Sequence, residues 1–173
     1  LIRQMTEIAD QARGRPDARV CHLLKWIQEH MCPGIRLPDQ PRPASGAPWN
    51  DRRLLIFTQY DDTKRYLVKM LQAAIADTEL AEYRIEIFHG PTPLKKREQI
   101  KRAFNAPPDQ HPVRILIATD AAREGINLQA HCHDLFHFDV PWNPSRLEQR
   151  NGRIDRKLQP SPKVFCRYFV YTQ

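Results

Sequence analysis

Glycine and paired cysteine are scarce in this sequence, and two phosphate-binding patterns are missing from it. Six glycines in 173 residues give no GxGxxG fingerprint, which argues against a dinucleotide enzyme on an unrelated doubly wound sheet. There is also no GxxxxGK[ST] phosphate loop and no DExx acidic pair after a strand to hold magnesium, so a nucleotide-hydrolysing site is not encoded here in full. Cysteines 21, 32, 132 and 166 form no CxxC pair. The cluster His131-Cys132-His133 lacks a second ligand pair at finger-like spacing, and neighbours on one strand or loop point apart. The expectation is therefore no bound metal, and reduced thiols in a cytoplasmic protein, nucleoid-associated if bacterial. No apolar run approaches the roughly 20 residues that span a bilayer, and no signal peptide is visible, so no membrane partner is expected. A chain that starts at leucine is expected to be part of something longer.

The sequence does carry charge and alternation. Lysine and arginine outnumber aspartate and glutamate by 27 to 20, for a net charge of +7, which favours an anionic partner without naming it. Val20, Leu23, Leu24 and Ile27 recur at i, i+3, i+4 and i+7, predicting an amphipathic helix over 17–31. A stretch with Pro33, Pro38, Pro41, Pro43 and Pro48 follows and reads as a linker or long surface loop. Residues 1–50 are thus a helical lead-in plus linker, and 51–173 are the main domain.

That domain alternates short apolar runs with helices. "LLIF" (54–57), "RIEIF" (84–88), "VRILIA" (113–118), "LFHF" (135–138) and "KVFCRYFVY" (163–171) read as strands. Asp61-Asp62-Thr63 is expected to cap a helix whose inner face is Leu67, Met70, Leu71 and Ala74. Thr92-Pro93 is expected to open another, with Pro93 at its first position and Ile100, Ala103 and Phe104 buried. Strand–helix repetition of this kind predicts an α/β fold, a parallel sheet covered on both faces, with ligands beyond the carboxyl ends of the strands. Thr58-Gln59, His89-Gly90 and Thr119-Asp120 fall at those ends.

Three polar clusters stand out. "LEQRNGRIDR" (147–156) follows Asn143 as a helix cap and Pro144 as the first helical residue. On a continuing helix, Gln149, Arg153 and Arg156 form one stripe at i, i+4 and i+7. Leu147, Ile154 and Leu158 form an apolar face, and Arg150 lies about 60° round from Arg153. Paired guanidiniums match phosphate geometry, and Gly152 beside Arg153 suits a close approach. "ATDAAREGINLQ" (118–129) offers backbone N–H groups after a strand. "FHGPTPLKKREQIKRAF" (88–104) crowds Lys95, Lys96, Arg97, Lys101 and Arg102 on one helix. Each cluster alone also reads as a solvated charged face or a strand–loop–helix joint.

Their joint order carries more. "IFTQY", "FHG...KKREQIKRAFN", "ILIATDAAREGINLQ" and "FDVPWNPSRLEQRNGRIDR" resemble motifs IV, IVa, V and VI of superfamily two helicases. "INLQ", "PWNP" and "EQRNGRIDR...Q" resemble the Swi/Snf-type branch, with its bacterial relatives that remodel RNA polymerase or act in phage defence. The resemblance runs from about Arg52 to Gln159, and "GRIDRKLQ" lacks the glycine that the branch often carries as "IGQ". It implies a RecA-like sheet of the P-loop NTPase type, the second of two lobes. It also implies that ATP and Mg2+ are bound mainly by the N-terminal RecA-like lobe of the same polypeptide. By resemblance Arg153 and Arg156 are the catalytic arginine fingers, while Gln149, Gly125 and Asn127 face the nucleotide. Thr58, Gln59, His89, Gly90, Arg97, Thr119 and Arg123 face the nucleic acid, expected to be double-stranded DNA. The function implied is an ATP-dependent helicase or translocase; a non-catalytic nucleic-acid-binding module on the same fold is the alternative.

Overall fold

Along the strand Leu54–Thr58 (β1), successive side chains point to opposite faces, and both faces are dry. Leu54 and Ile56 enter one core cluster, Leu55 and Phe57 the other. A strand buried on both faces is apolar throughout, as "LLIF" is, and belongs in the middle of a parallel sheet. The computed structural model describes residues 4–6, 16–38, 40–41, 43–120 and 127–170. Within them β1 is the central strand. With Ile85–Phe88 (β2), Ile115–Thr119 (β3), Asp134–His137 (β4) and Phe165–Tyr168 (β5) it forms an all-parallel sheet in the order β2-β3-β1-β4-β5. This is the α/β, RecA-like arrangement the sequence predicts.

The first face is covered by helices Ala18–His30 (α1) and Asp61–Ile75 (α2). The buried residues of α1 are Val20, Leu23, Leu24 and Ile27, the predicted stripe, and they share a core with Ile115, Ile117 and Phe136. At about 1.5–3 kcal/mol per buried aliphatic side chain, these four anchor α1 to the sheet. Asp17 caps the helix by accepting from the Val20 N–H at 2.8 Å, and its own N–H donates to the Tyr66 hydroxyl on α2 at 2.8 Å. The proline-rich stretch is held against the end of α2: Trp49 is buried, and its indole N–H donates to the Thr78 hydroxyl at 3.0 Å. At Gly34 a Cβ would lie 2.0 Å from the Ala47 Cβ, so only glycine allows this packing.

The second face is covered by Leu94–Asn105 (α3), which buries Ile100 and Phe104, with Ala103 and, on α2, Met70 only half-buried. Two helix starts differ from expectation. The cap of α2 is Tyr60, without a side-chain bond; Asp61 and Asp62 fall in the first turn, where their charge complements the helix dipole. The cap of α3 is Pro93, because Thr92 is used one step earlier: its hydroxyl accepts from the His89 N–H at 3.1 Å and closes the turn after β2. At the opposite, amino-terminal edge of the sheet, Arg53, Arg84 and Arg114 each precede a strand and are buried. Arg114 donates to the carbonyls of Asn50 at 2.7 Å and His111 at 2.8 Å, and Arg84 to those of Glu79 at 2.9 Å and Pro112 at 2.8 Å. Part of the basic charge is therefore structural.

Candidate functional site

The carboxyl ends of β1, β3 and β4 bring Thr58, Thr119 and Asp120 beside helix Pro144–Asn151 (α4). The start of α4 follows expectation: Asn143 caps it by accepting from the Ser145 N–H at 2.9 Å, and Pro144 opens it. Its end does not. The helix stops at Asn151, and the Gly152 N–H bonds to the Glu148 carbonyl at 2.8 Å. A Cβ at Gly152 would sit 3.3 Å from that carbonyl oxygen, so the glycine serves a tight helix end, not a ligand approach. Arg153 and Arg156 lie in the turns beyond, and the helical stripe and apolar face expected for this segment dissolve. Ile154 is fully buried in the second-face core, Leu147 is half-buried, and Leu158 is 92% exposed with φ at +69°. Gln159 fixes the new path by donating to the carbonyls of Ile154 at 2.8 Å and Cys132 at 3.0 Å.

The turns still gather the expected side chains. Gln149 and Arg153 line one cleft with Phe57, Thr119, Asp120, Arg146 and Arg150. Burial, and then the neighbouring charge of Arg156, push the Arg153 guanidinium below its ordinary pKa. Arg156 is exposed and donates to the Asn127 side-chain oxygen. The Asn127 carbonyl accepts from Asn105 at 2.7 Å, and the Leu128 N–H donates to the Arg153 carbonyl at 3.0 Å. Planar guanidinium donors of this kind suit phosphoryl oxygens. Gly125 and Arg123 lie outside the described residues.

Arg150 does not point elsewhere as a solvated neighbour. It is 2% exposed. Its Nε and Nη2 donate to the two oxygens of Asp120 at 2.7 and 2.8 Å, and its Nη1 donates to the Asp139 carbonyl at 2.6 Å. Nη2 also reaches the Asp139 carboxylate at 3.3 Å. That carboxylate accepts from the Thr58 hydroxyl and from the Gln59 N–H, the latter at 2.8 Å. Thr58 is fully buried and Thr119 nearly so. Thr58 therefore supports the cleft from within, where direct contact with nucleic acid had been expected.

On the β2 side, His89 and Gly90 are half-buried in the turn that Thr92 closes. Lys64, itself buried on α2, lies 3.3 Å from His89 Nδ1 and pairs with Asp61. Burial, then the Lys64 charge, lower the His89 pKa. Arg97 donates to the carbonyls of Gly90 at 2.5 Å and Thr92 at 2.8 Å, so it fastens this turn rather than extending as a solvent-facing cation. Along α3, Lys96 pairs with Glu86 at 3.0 Å and Lys101 with Glu98 at 3.3 Å, while Lys95 and Arg102 are exposed.

Sequence reasoning missed Arg150 and Asp139, whose signal was present as an acid after each of two strands and an arginine on α4. It also missed Trp142, which is 99% exposed at the start of α4. Among the described residues, no three His, Cys, Asp or Glu side chains gather to hold a metal ion, and no helix is long and apolar enough to cross a membrane.

Comparison with known proteins agrees with this geometry. Residues 49–157 match the family described as the helicase conserved C-terminal domain. The chain is 39% identical over 107 residues to the uncharacterized ATP-dependent helicase YqhH of Bacillus subtilis, covering 61% of this chain and 17% of that protein. It is 30% identical over 106 residues to the RNA polymerase-associated protein RapA of Pectobacterium carotovorum, 61% of this chain and 10% of that one. These relatives fit a Swi/Snf-like branch, and the chain spans less than a fifth of the length of either. In structure it is similar to the C-terminal part of the Fun30 ATPase domain, with TM-score 0.53 and 22% identity, covering 68% of this chain and 34% of that one. Domain 2 of the DEAD-box helicase Mss116p, solved bound to an RNA duplex, gives TM-score 0.57 and 20% identity, covering 87% and 48%.

Proposed function

This chain belongs to the helicase conserved C-terminal domain family, and we propose that it is the second motor lobe of an ATP-dependent, Swi/Snf-like nucleic-acid translocase acting on duplex DNA. The observation that carries the proposal is the cleft at the carboxyl ends of the strands that Gln149 and Arg153 line together, with Arg156 near enough for its charge to lower the Arg153 pKa. Guanidiniums placed this way suit the oxygens of a polyphosphate. ATP, with Mg2+ on the preceding lobe, supplies the phosphoryl group whose hydrolysis powers movement. This lobe's part is to present Arg153 and Arg156 across the cleft and to steady the charge that develops on the phosphoryl oxygens. Asn127 holds Arg156 in place through its side-chain oxygen. Gly125 is proposed beside the nucleotide, and Gln59, His89, Gly90, Thr119 and Arg123 beside the track. RNA polymerase association belongs to RapA by its name, and a comparable partner is a proposal for this chain.

The test is Arg156→Ala in the two-lobe protein. Turnover should fall by about 10³–10⁵ while DNA affinity stays within about twofold, because on this reading the exposed Arg156 meets the nucleotide and not the track. Arg156→Lys should recover little, since a point charge does not reproduce the planar fork. Near-normal ATPase in Arg156→Ala would refute the finger role and favour a binding module.

A further inference from the structure

The buried Arg150 fork joins groups that the proposed function needs to communicate. Asp120 follows β3, Asp139 follows β4, and Thr58-Gln59 end β1. Arg150 bonds the first two directly, and Asp139 carries the connection on to Thr58 and Gln59. From Arg150 the chain runs three residues to Arg153. We infer that Asp139 and Arg150 are positioning residues that couple the nucleic-acid end of β1 to the arginine pair at the nucleotide. The inference rests on the motor reading above and adds to it a stated route for activation by nucleic acid.

The chemistry of the junction makes it sensitive. The Asp139 carboxylate accepts from three donors at once: the Thr58 hydroxyl, the Gln59 N–H at 2.8 and 3.0 Å, and Arg150 Nη2 at 3.3 Å. An amide in its place keeps the shape but offers one acceptor atom, and its NH2 meets at least one donor head-on. The β1 end then loses either the Gln59 turn or the guanidinium. Because the junction is nearly closed to water, with Arg150 at 2% and the Asp139 side chain at 18% exposure, no solvent readily substitutes for the lost bond. Displacement of the turn after β1 no longer moves Arg150, nor the 150–156 segment that carries Arg153.

The test uses the two-lobe protein with duplex DNA as the probe. Asp139→Asn should leave DNA-free ATPase and DNA affinity near wild type, with a modest fall in the melting midpoint from the lost bond. It should cut the fold-stimulation of ATPase by DNA about tenfold, within the roughly 5–150-fold range of allosteric couplings. Arg150→Lys, which keeps the charge and loses the fork, should also lose stimulation. A merely structural role would lower the DNA-free and the DNA-stimulated ATPase rates by the same factor, and that result would overturn the inference. Full stimulation in Asp139→Asn would overturn it as well, leaving the motor reading intact. A wild type without ATP turnover would remove the motor reading and the coupling with it.

Discussion

Removal of the Arg150 guanidinium is the sharpest test of the cleft's construction. Arg150→Met keeps most of the volume and deletes the only cation seen between Asp120 and Asp139 among the described side chains that bond to both. One nitrogen, Nη2, lies 2.8 Å from one carboxylate and 3.3 Å from the other, so two like charges would face each other across a space the arginine now fills. Breaking a buried pair by removing one partner costs about 3–5 kcal/mol. Against a total stability of about 5–15 kcal/mol, that is roughly a fifth or more of what holds a typical domain together. With a urea slope of about 2 kcal/mol per molar, the midpoint of this chain followed by circular dichroism should fall by about 2 M. Adding Asp120→Asn to Arg150→Met should recover part of the loss, since the uncompensated charge goes with it. Arg156→Ala, on an exposed side chain, should stay within about 0.5 kcal/mol of wild type. A loss of under about 1 kcal/mol in Arg150→Met would refute the claim that this fork is a buried keystone.

This chain alone should release no phosphate from ATP above background with or without duplex DNA, because the phosphate loop is not encoded in it; robust turnover would refute the single-lobe reading. Its DNA affinity should weaken with salt, and Lys95→Ala and Arg102→Ala should each lower the log–log slope by about 0.9, whereas Lys96 and Lys101, already paired, should contribute less. Stability should fall in acid: burial, then the Arg150 charge, hold the His137 pKa below its usual 6.5, against a bond to Asn151 that raises it. The unfolded chain therefore binds protons first as pH drops, so stability is complete above about 6.5 and lost as pH falls toward the lower folded value. A melting midpoint level from about pH 8 to about pH 5 would contradict this.

Much of the fold was legible because its signals are local. The α1 stripe and the "LLIF" and "VRILIA" runs report burial through spacing alone, and the structure puts Val20, Leu23, Leu24 and Ile27 inside and β1 at the centre. Misreadings began where a side chain had a competing partner. Thr92 looked like a cap and instead closes the His89 turn; Asp61 looked like a cap and instead sits in the first turn, paired with Lys64 and Arg65. The site divides the same way. Gln149 and Arg153 do share a cleft, yet not for the helical reason, since α4 ends at Asn151. Periodicity cannot see a helix stop imposed by Gly152 and the Gln159 amide. The charge of +7 was a blunt guide, for it counts Arg53, Arg84, Arg114 and Arg150, which are buried.

Those buried arginines change how the basic balance bears on function. A guanidinium engaged with backbone carbonyls, as Arg114 and Arg84 are, has already exchanged water for protein dipoles and adds little to the field outside. The anion-attracting field must come from side chains that keep their charge at the surface, among them Lys95 and Arg102 near the two ends of α3 and Arg156 in the turns after α4. At Arg150 the positive charge is met inside the protein by the carboxylates of Asp120 and Asp139. Within "EQRNGRIDR" the arginines therefore differ by burial and not by spacing: Arg150 is spent inward on two carboxylates, Arg153 is half-buried in the cleft, and Arg156 is exposed and bonded to Asn127.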